Sequence, residues 1–311
     1  MVKLLYCFDN KYDIQAQVSI YSVLENAKQQ VEIYIIHKTQ FDSKFIDEKI
    51  LNHKNLKNIN IKKFNILNAV FPKIKNSHVS EATYYRIYFD EIFKNKLDYI
   101  LYLDSDIVFL GDISKIYNNF KKSLMNSRFT IAATKELDLK QTHQELKKVL
   151  GMKSDSYFNA GVLLIDVNKW KMGNTTKLLL SNQEKLHENL KYWDQDLFNS
   201  CFDGDYLELP KEVNFSSEVI DSNQNRDLKN IIGVHFSGKT KPWTINGMNV
   251  ESSEIFQKQF RELKDEKYFI ESRSKIKGLK EIAIQLFTLK FLRLQYPYRF
   301  MGISIKSIIK K

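Results

Sequence analysis

The chain has 311 residues, 43% of them apolar and 27% charged, with a formal net charge of +11; this ordinary globular balance can bury a substantial core, as one large domain or one with a small appendage. Only two cysteines are present, Cys7 and Cys201, which excludes a disulfide framework and a cysteine zinc site and points to a reducing compartment. The charge does not indicate nucleic acid, because ten Lys and Arg and a single acidic residue, Glu281, fall between Arg273 and Lys311 while the rest of the chain is nearly neutral.

The N-terminal "MVKLLYCFDNKYD" has an apolar run too short for a signal peptide or a spanning helix, so a cytoplasmic protein is expected. Within it "KLLYCF" reads as a strand, and "DIQAQVSIYSVLENA" as a helix with Ile14, Val18, Tyr21, Val23 and Leu24 near helical spacing. "VEIYIIH" is the next strand, "DSKFIDEKILNH" the next helix and "IKKFNI" a third strand. This alternation predicts parallel βαβ units and an α/β sheet. Ligands of such sheets sit beyond the carboxyl ends of the strands, which marks Asp9, Asn10 and Tyr12. Neither a G-x-G-x-x-G nor a P-loop follows the first strand. A nucleotide phosphate would need another device, and a metal ion is the obvious one.

"SEATYYRIYFDEIF" predicts an amphipathic helix carrying Arg86. It is followed by "DYILYLDSDIVFLGDI", in which Asp104 and Asp106 leave an apolar run that is too apolar for a surface strand. Residues one apart in extended chain point to opposite faces, so a bend after Leu103 is needed for both carboxylates to reach one ion. Hard cations such as Mg²⁺ and Mn²⁺ take such oxygens together with substrate phosphates. Further on, "SYFNAGVLLIDVNKW" reads as a strongly apolar strand preceded by Phe158, Asn159 and Ala160. "YWDQDLFNSCF" gathers Asp194, Gln195 and Asp196 at a helix start, where Asp194 is also a candidate N-cap. "IIGVHFSGKTKPW" is a last strand leading into His235, Gly238, Lys241 and Trp243. Imidazole suits Mn²⁺, and a close-approach glycine and a cation beside it suit a metal diphosphate.

The C-terminal stretch places Leu279, Ile282, Leu286 and Leu289 near helical spacing among lysines, with Pro297 expected to interrupt the helix. Basic residues with Tyr296, Tyr298 and Phe300 fit an anionic membrane surface; the alternative is a helix packed on the domain with a solvated lysine face.

The blocks "LDSD", "YFNAGVLLIDVNKW", "DQDLFN" and "HFSGKTKPW", in this order, resemble glycosyltransferase family eight, retaining sugar transferases that include bacterial lipooligosaccharide galactosyltransferases and, more distantly, glycogenin. The resemblance covers residues 1 to about 245. It implies a GT-A-type, Rossmann-like mixed sheet flanked by helices over residues 1–265, and leaves 266–311 as a basic helical appendage. It implies Asp104, Asp106 and His235 as ligands of Mn²⁺, or of Mg²⁺, with Gly238 and Lys241 on the diphosphate of a UDP-hexose. Cys7, Asp9 and Tyr12 fall where the family holds uracil and ribose, Arg86 and Ser105 beside the diphosphate or sugar, and Asn159, Ala160, Asp194 and Gln195 at the sugar. Lys11 and Glu136 depart from the family pattern, at the base and the sugar respectively. The implied reaction is transfer of galactose or glucose to a glycan or glycolipid acceptor at the inner face of a membrane. Retention runs through Asp194 as a nucleophile or by attack on the face the UDP leaves, with Gln195 too poor a nucleophile to serve. A nucleotidyltransferase making UDP-sugars, or a non-catalytic membrane- or glycan-binding module, are the other classes.

Overall fold

The computed structural model describes residues 1–39, 42–67, 69, 71, 80–94, 97–140, 143–186, 189–222, 228–238, 240–272 and 274–310, so Arg273 and Lys311 lie outside the described residues. In chain order it has β1 (Val2–Phe8), α1 (Asp13–Asn26), β2 (Val31–His37), α2 (Glu48–Leu51) and β3 (Leu56–Lys63). Then come α3 (Phe89–Ile92), β4 (Tyr99–Leu103), β5 (Ile107–Phe109), α4 (Ile113–Met125), β6 (Ile131–Asp138), α5 (Gln144–Val149) and β7 (Ser156–Asp166). Helices α6 (Val167–Met172), α7 (Thr175–Leu186) and α8 (Trp193–Phe202) are followed by β8 (Leu207–Glu208), β9 (Phe215–Ser216), α9 (Ser217–Ser222) and β10 (Gly233–His235). The chain closes with α10 (Ser253–Lys264), α11 (Lys275–Thr288) and α12 (Pro297–Ile309).

The main sheet has strand order β3-β2-β1-β4-β7-β6-β8. Strands β1, β2, β3 and β4 are mutually parallel, while β7 runs antiparallel to β4 and β6. Alternation along the strands feeds two cores: Val2, Leu4, Tyr6, Leu101 and Leu103 join one, and Leu5, Cys7, Ile100 and Tyr102 the other. Both faces being covered, β1 and β4 are nearly unbroken apolar runs. The chain winds outward from β1 through β2 to β3, then returns to lay β4 on the other side of β1. That reversal opens a crevice at the carboxyl ends of β1 and β4. A small second sheet, β5-β10-β9, sits at the same end, with His235 paired to Ile107.

Four local expectations are corrected. Residues 42–53 do not form one helix but a 3₁₀ turn at Ser43–Phe45 and the single turn α2, because Asp47 caps from the middle of the segment, its carboxylate accepting from the Lys49 amide. The third strand lies at 56–63 rather than 61–66: it is the sheet's edge, so five of its eight residues are polar and the apolar signal is thin. Residues 81–88 wind as a 3₁₀ helix before α3, and Ala82 and Tyr84 to Tyr88 are all buried, so the segment has no solvent face. Pro297 does not interrupt the C-terminal helix but opens α12 at its first turn; the break comes earlier, at Leu289, which adopts left-handed φ 53.

The C-terminal helices share a core with the preceding chain, in which Ile282, Phe291, Phe300 and Ile308 pack on Ile245, Met248, Tyr268 and Ile270. Hydrogen bonds from Gln285 Nε2 to the Ile245 carbonyl (3.2 Å) and from the Tyr296 amide to Tyr268 Oη (3.0 Å) fix that docking. The outer face keeps Ile276, Leu279, Leu286 and Phe287 in solvent, Phe287 at 91% exposure. Among the described residues no helix is long and apolar enough to cross a membrane.

Candidate active site

The crevice beyond β1 and β4 holds a cavity of about 350 Å³. Strand β1 delivers Cys7 to it, β4 ends one residue short of Asp104, and the turn through Ser105 and Asp106 brings both carboxylates round before β5 begins. His235, the last residue of β10, completes the set: ligand atoms of Asp104, Asp106 and His235 all lie within 4.8 Å of one another. His235 Nε2 stands 3.2 Å from Asp106 Oδ1 and 3.6 Å from Asp104 Oδ2.

Local chemistry holds each member. The Asp104 amide donates to the Gly161 carbonyl (2.8 Å), and Tyr102 Oη donates to Asp104 Oδ1 (2.6 Å). Lys241 Nζ donates to Asp106 Oδ2 (2.8 Å) and to the Phe236 carbonyl. Burial would raise the Asp106 pKa, but Lys241 and His235 beside it hold the carboxyl well below the usual range. Burial opposes charge on His235, yet Asp106 and Asp104 raise its pKa above the ordinary imidazole value. Two carboxylates and an imidazole are the hard, oxygen-rich donor set that Mn²⁺ and Mg²⁺ take. Gly161 makes room for it: a Cβ there would lie 2.5 Å from His235 Cε1 and 2.9 Å from Asp104 Oδ2.

Beside this group Arg86, 3% exposed, is fully committed, its Nη1 standing 3.6 Å from Asp104 Oδ1. Its guanidinium donates to Asp194 and, through Nη1, to the Ala160 carbonyl (2.6 Å), and it stacks over Tyr102 with 4.3 Å to the ring centroid. Asp194 is therefore not an N-cap. Its second oxygen accepts from Thr83 Oγ1 (2.7 Å), and burial, opposed by Arg86, raises its pKa. Asp196 serves the start of α8 instead, accepting from the Lys191 and Tyr192 amides and from Tyr157 Oη. Gln195 Oε1 accepts from the Ala160 amide (3.0 Å), which fixes its Nε2 on Glu136 Oε2 (2.9 Å).

Cys7, Tyr12, Arg86, Asp104, Ser105, Asp106, Asn159, Asp194, Gln195, His235, Gly238 and Lys241 all line the cavity. Asp9 and Ala160 do not. Asp9 accepts from the Lys11 amide (3.0 Å) and shapes the loop behind Tyr12, while Ala160 offers its backbone to Gln195 and Arg86. Asn159 and Ala160 lie inside β7, not ahead of it as the sequence suggested, because the strand pairs with β6 from Ser156 onward. Tyr12 packs edge-on to Trp243 at 6.1 Å.

Sequence reasoning missed Thr83, Gly161, Asn214 and Glu218. Gly161 stood in plain view in "FNAGVLLI", where a glycine in a strand signals close backbone approach. Asn214 Oδ1 lies 2.8 Å from His235 Nδ1, and its local sequence carries no signal of this. Glu218 lines the cavity against Gly238, where a Cβ would stand 2.0 Å from its Oε1.

The family model described as glycosyl transferase family 8 matches residues 3–247. Lipopolysaccharide 1,2-glucosyltransferase of Escherichia coli is 29% identical over 261 residues, covering 80% of this chain and 75% of that protein. General stress protein A of Bacillus subtilis (strain 168) is 27% identical over 197 residues, 59% of this chain and 66% of that protein. Among solved structures, the galactosyltransferase LgtC in complex with donor and acceptor sugar analogs superposes with a TM-score of 0.71 at 22% identity, over 85% of this chain and 96% of that one. The fold is accordingly GT-A. From the family match over residues 3–247, the chain belongs to glycosyltransferase family 8.

Proposed function

We propose that the protein transfers a hexose, galactose or glucose, from a UDP-hexose to a glycan or glycolipid acceptor of cell-surface polysaccharide or lipooligosaccharide, with retention of configuration and dependence on Mn²⁺, with Mg²⁺ as the alternative ion. The observation that carries this reading is the convergence of Asp104, Asp106 and His235 on one cavity that also presents Lys241, Arg86 and Gln195. Asp104, Asp106 and His235 would hold the metal, which when bound supplies Lewis-acid neutralisation of the diphosphate. Both hexoses remain in view because one relative is named a glucosyltransferase and one structural neighbour a galactosyltransferase.

The chain's own groups then divide the work. Lys241 and the close-approach backbone at Gly238 bind the diphosphate and help bear charge on the leaving UDP. Cys7 and Tyr12 hold the nucleoside, with Asp9 shaping the loop behind Tyr12; Arg86, Ser105 and Asn159 shape the sugar pocket, with the Ala160 backbone fixing Gln195 and Arg86. Asp194 has one oxygen on Thr83 and the other on Arg86, so a nucleophilic role would require a buried ion pair to open. That favours the path in which the acceptor oxygen bonds to the anomeric carbon on the face UDP leaves, its proton passing to the departing phosphate oxygen. Gln195, oriented by Ala160 and Glu136, supports the sugar beside the reacting carbon. Residues 1–265 would form the catalytic domain and 266–311 a membrane-attachment segment at the cytoplasmic face, a reading supported by exposed Phe287, Leu279 and Ile276 among lysines.

The test is UDP release from a panel of UDP-sugars with and without Mn²⁺, alongside Asp104→Asn and Asp106→Asn. Mn²⁺-dependent release from one donor, lost in both variants, is expected. No nucleotide binding and no release would overturn the reading, and pyrophosphate formation from UTP would move the protein to the nucleotidyltransferases.

A further inference from the structure

We propose that Asn214 is a positioning residue that locks His235 in the tautomer with the proton on Nδ1, so that the Nε2 lone pair faces Asp104 and Asp106. The consequence for metal binding rests on the metal site proposed above; the tautomer itself does not.

Gly161 N–H donates to a side-chain atom of Asn159 at 2.8 Å, and a backbone amide has no other role, so that atom is the oxygen, Oδ1. Asn214 approaches the same oxygen at 2.9 Å and must do so with its amide nitrogen, since the flipped amide would set two oxygens against each other. Its own oxygen is thereby turned to His235 Nδ1 at 2.8 Å. An acceptor there requires Nδ1 to carry hydrogen, so it is Nε2, 3.2 Å from Asp106 Oδ1, that gives up its proton when the ring is neutral. Asn159, Asn214 and His235 are 9%, 8% and 4% exposed, so water does not readily replace any link. The backbone keeps the parts together: Asn214 immediately precedes β9, which pairs in parallel with β10 and sets Ser216 beside His235. One main-chain amide thus determines, through two asparagines, which imidazole nitrogen is available. With the opposite tautomer an N–H would point at the carboxylates and no lone pair would be offered to a cation.

The experiment uses the full chain labelled with ¹⁵N-histidine in metal-free buffer, with the pH raised until the ring-nitrogen shifts of His235 report a neutral imidazole. Long-range ¹H–¹⁵N correlation reads the tautomer, and His235→Gln identifies the signals by their loss. Wild type is expected to show protonated Nδ1, and Asn214→Leu, of similar volume, a shift toward protonated Nε2. In parallel, the electron paramagnetic signal of free Mn²⁺ measures metal affinity, expected to be about 10–100-fold weaker in Asn214→Leu. A wild-type ring protonated on Nε2 overturns the proposal without any variant, as does an unchanged tautomer in folded Asn214→Leu. Should wild type hold the expected tautomer yet fail to bind Mn²⁺, the metal reading falls and the positioning role stands.

Discussion

Gly161→Ala isolates the steric argument for the site. The backbone angle of Gly161 is not left-handed, so alanine carries no conformational penalty there; the cost is contact. Its Cβ would lie 2.5 Å from His235 Cε1 and 2.9 Å from both His235 Nδ1 and Asp104 Oδ2, against an ordinary carbon separation of about 3.5–4.0 Å. Either His235 or the β7 backbone must therefore move by about 1 Å. Overpacking of this kind costs about 1–3 kcal/mol of stability, a loss of a few degrees in Tm for a domain of this size. A displacement of about 1 Å at a catalytic centre costs about 100-fold in rate. Activity should thus fall far more than stability: Mn²⁺-dependent UDP release down about 100-fold, with Tm lowered by only a few degrees. Gly302→Ala, where a new Cβ meets nothing within 4 Å on helix α12, is the control and should leave turnover unchanged. If Gly161→Ala retained turnover within about threefold of wild type, less than 1 kcal/mol in barrier, the close packing of β7 on the site would not matter to the chemistry.

Removing Arg86 while leaving Asp194, as in Arg86→Met, strands a buried carboxylate and should cost about 3–5 kcal/mol in denaturant unfolding; adding Asp194→Asn should restore much of it, and additive costs would refute the pairing. Burial raises the thiol pKa of Cys7, and that of Cys201 to about 11, so alkylation by iodoacetamide at about pH 8 should be slow at both until the chain unfolds. Because the folded value for Cys201 lies above the unfolded one, its contribution to stability is complete below the ordinary thiol pKa and is lost as pH rises toward about 11. For the C-terminal face, Leu279→Ser with Phe287→Ser should abolish co-sedimentation with vesicles rich in phosphatidylglycerol; binding indifferent to both the substitutions and salt would exclude that surface.

Much of this arrangement was readable because burial writes itself into sequence. Strands β1, β4 and β7 are buried on both faces and so appear as apolar runs, and the acidic turn after Leu103 stands out against them. The edge strand β3 has little to bury, and its Asn and Lys residues hid it. Asp47 divided a segment whose apolar spacing looked continuous. At the site, residues with a charge or a ring announced themselves, whereas those acting by position did not. Nothing about Asn214 in "EVNFSS" reveals that its neighbour across the small sheet is His235, and the need for Gly161 depends on what lies 2.5 Å beyond its Cα substituent. Asp194 looked like a cap because a helix does begin beside it, but a buried guanidinium on another element claims its carboxylate.

The pairing of β5 with β10 has a kinetic consequence. Asp106 leads into one strand and His235 ends the other, at neighbouring positions of a single ladder, although about 130 residues of chain separate them. Contacts between segments so distant form only after much of the intervening chain is ordered. We expect the three proposed metal ligands to converge late in folding, so that the transition state gains little from an ion. Mn²⁺ should lengthen the lifetime of the native protein by slowing its unfolding while leaving the refolding rate untouched.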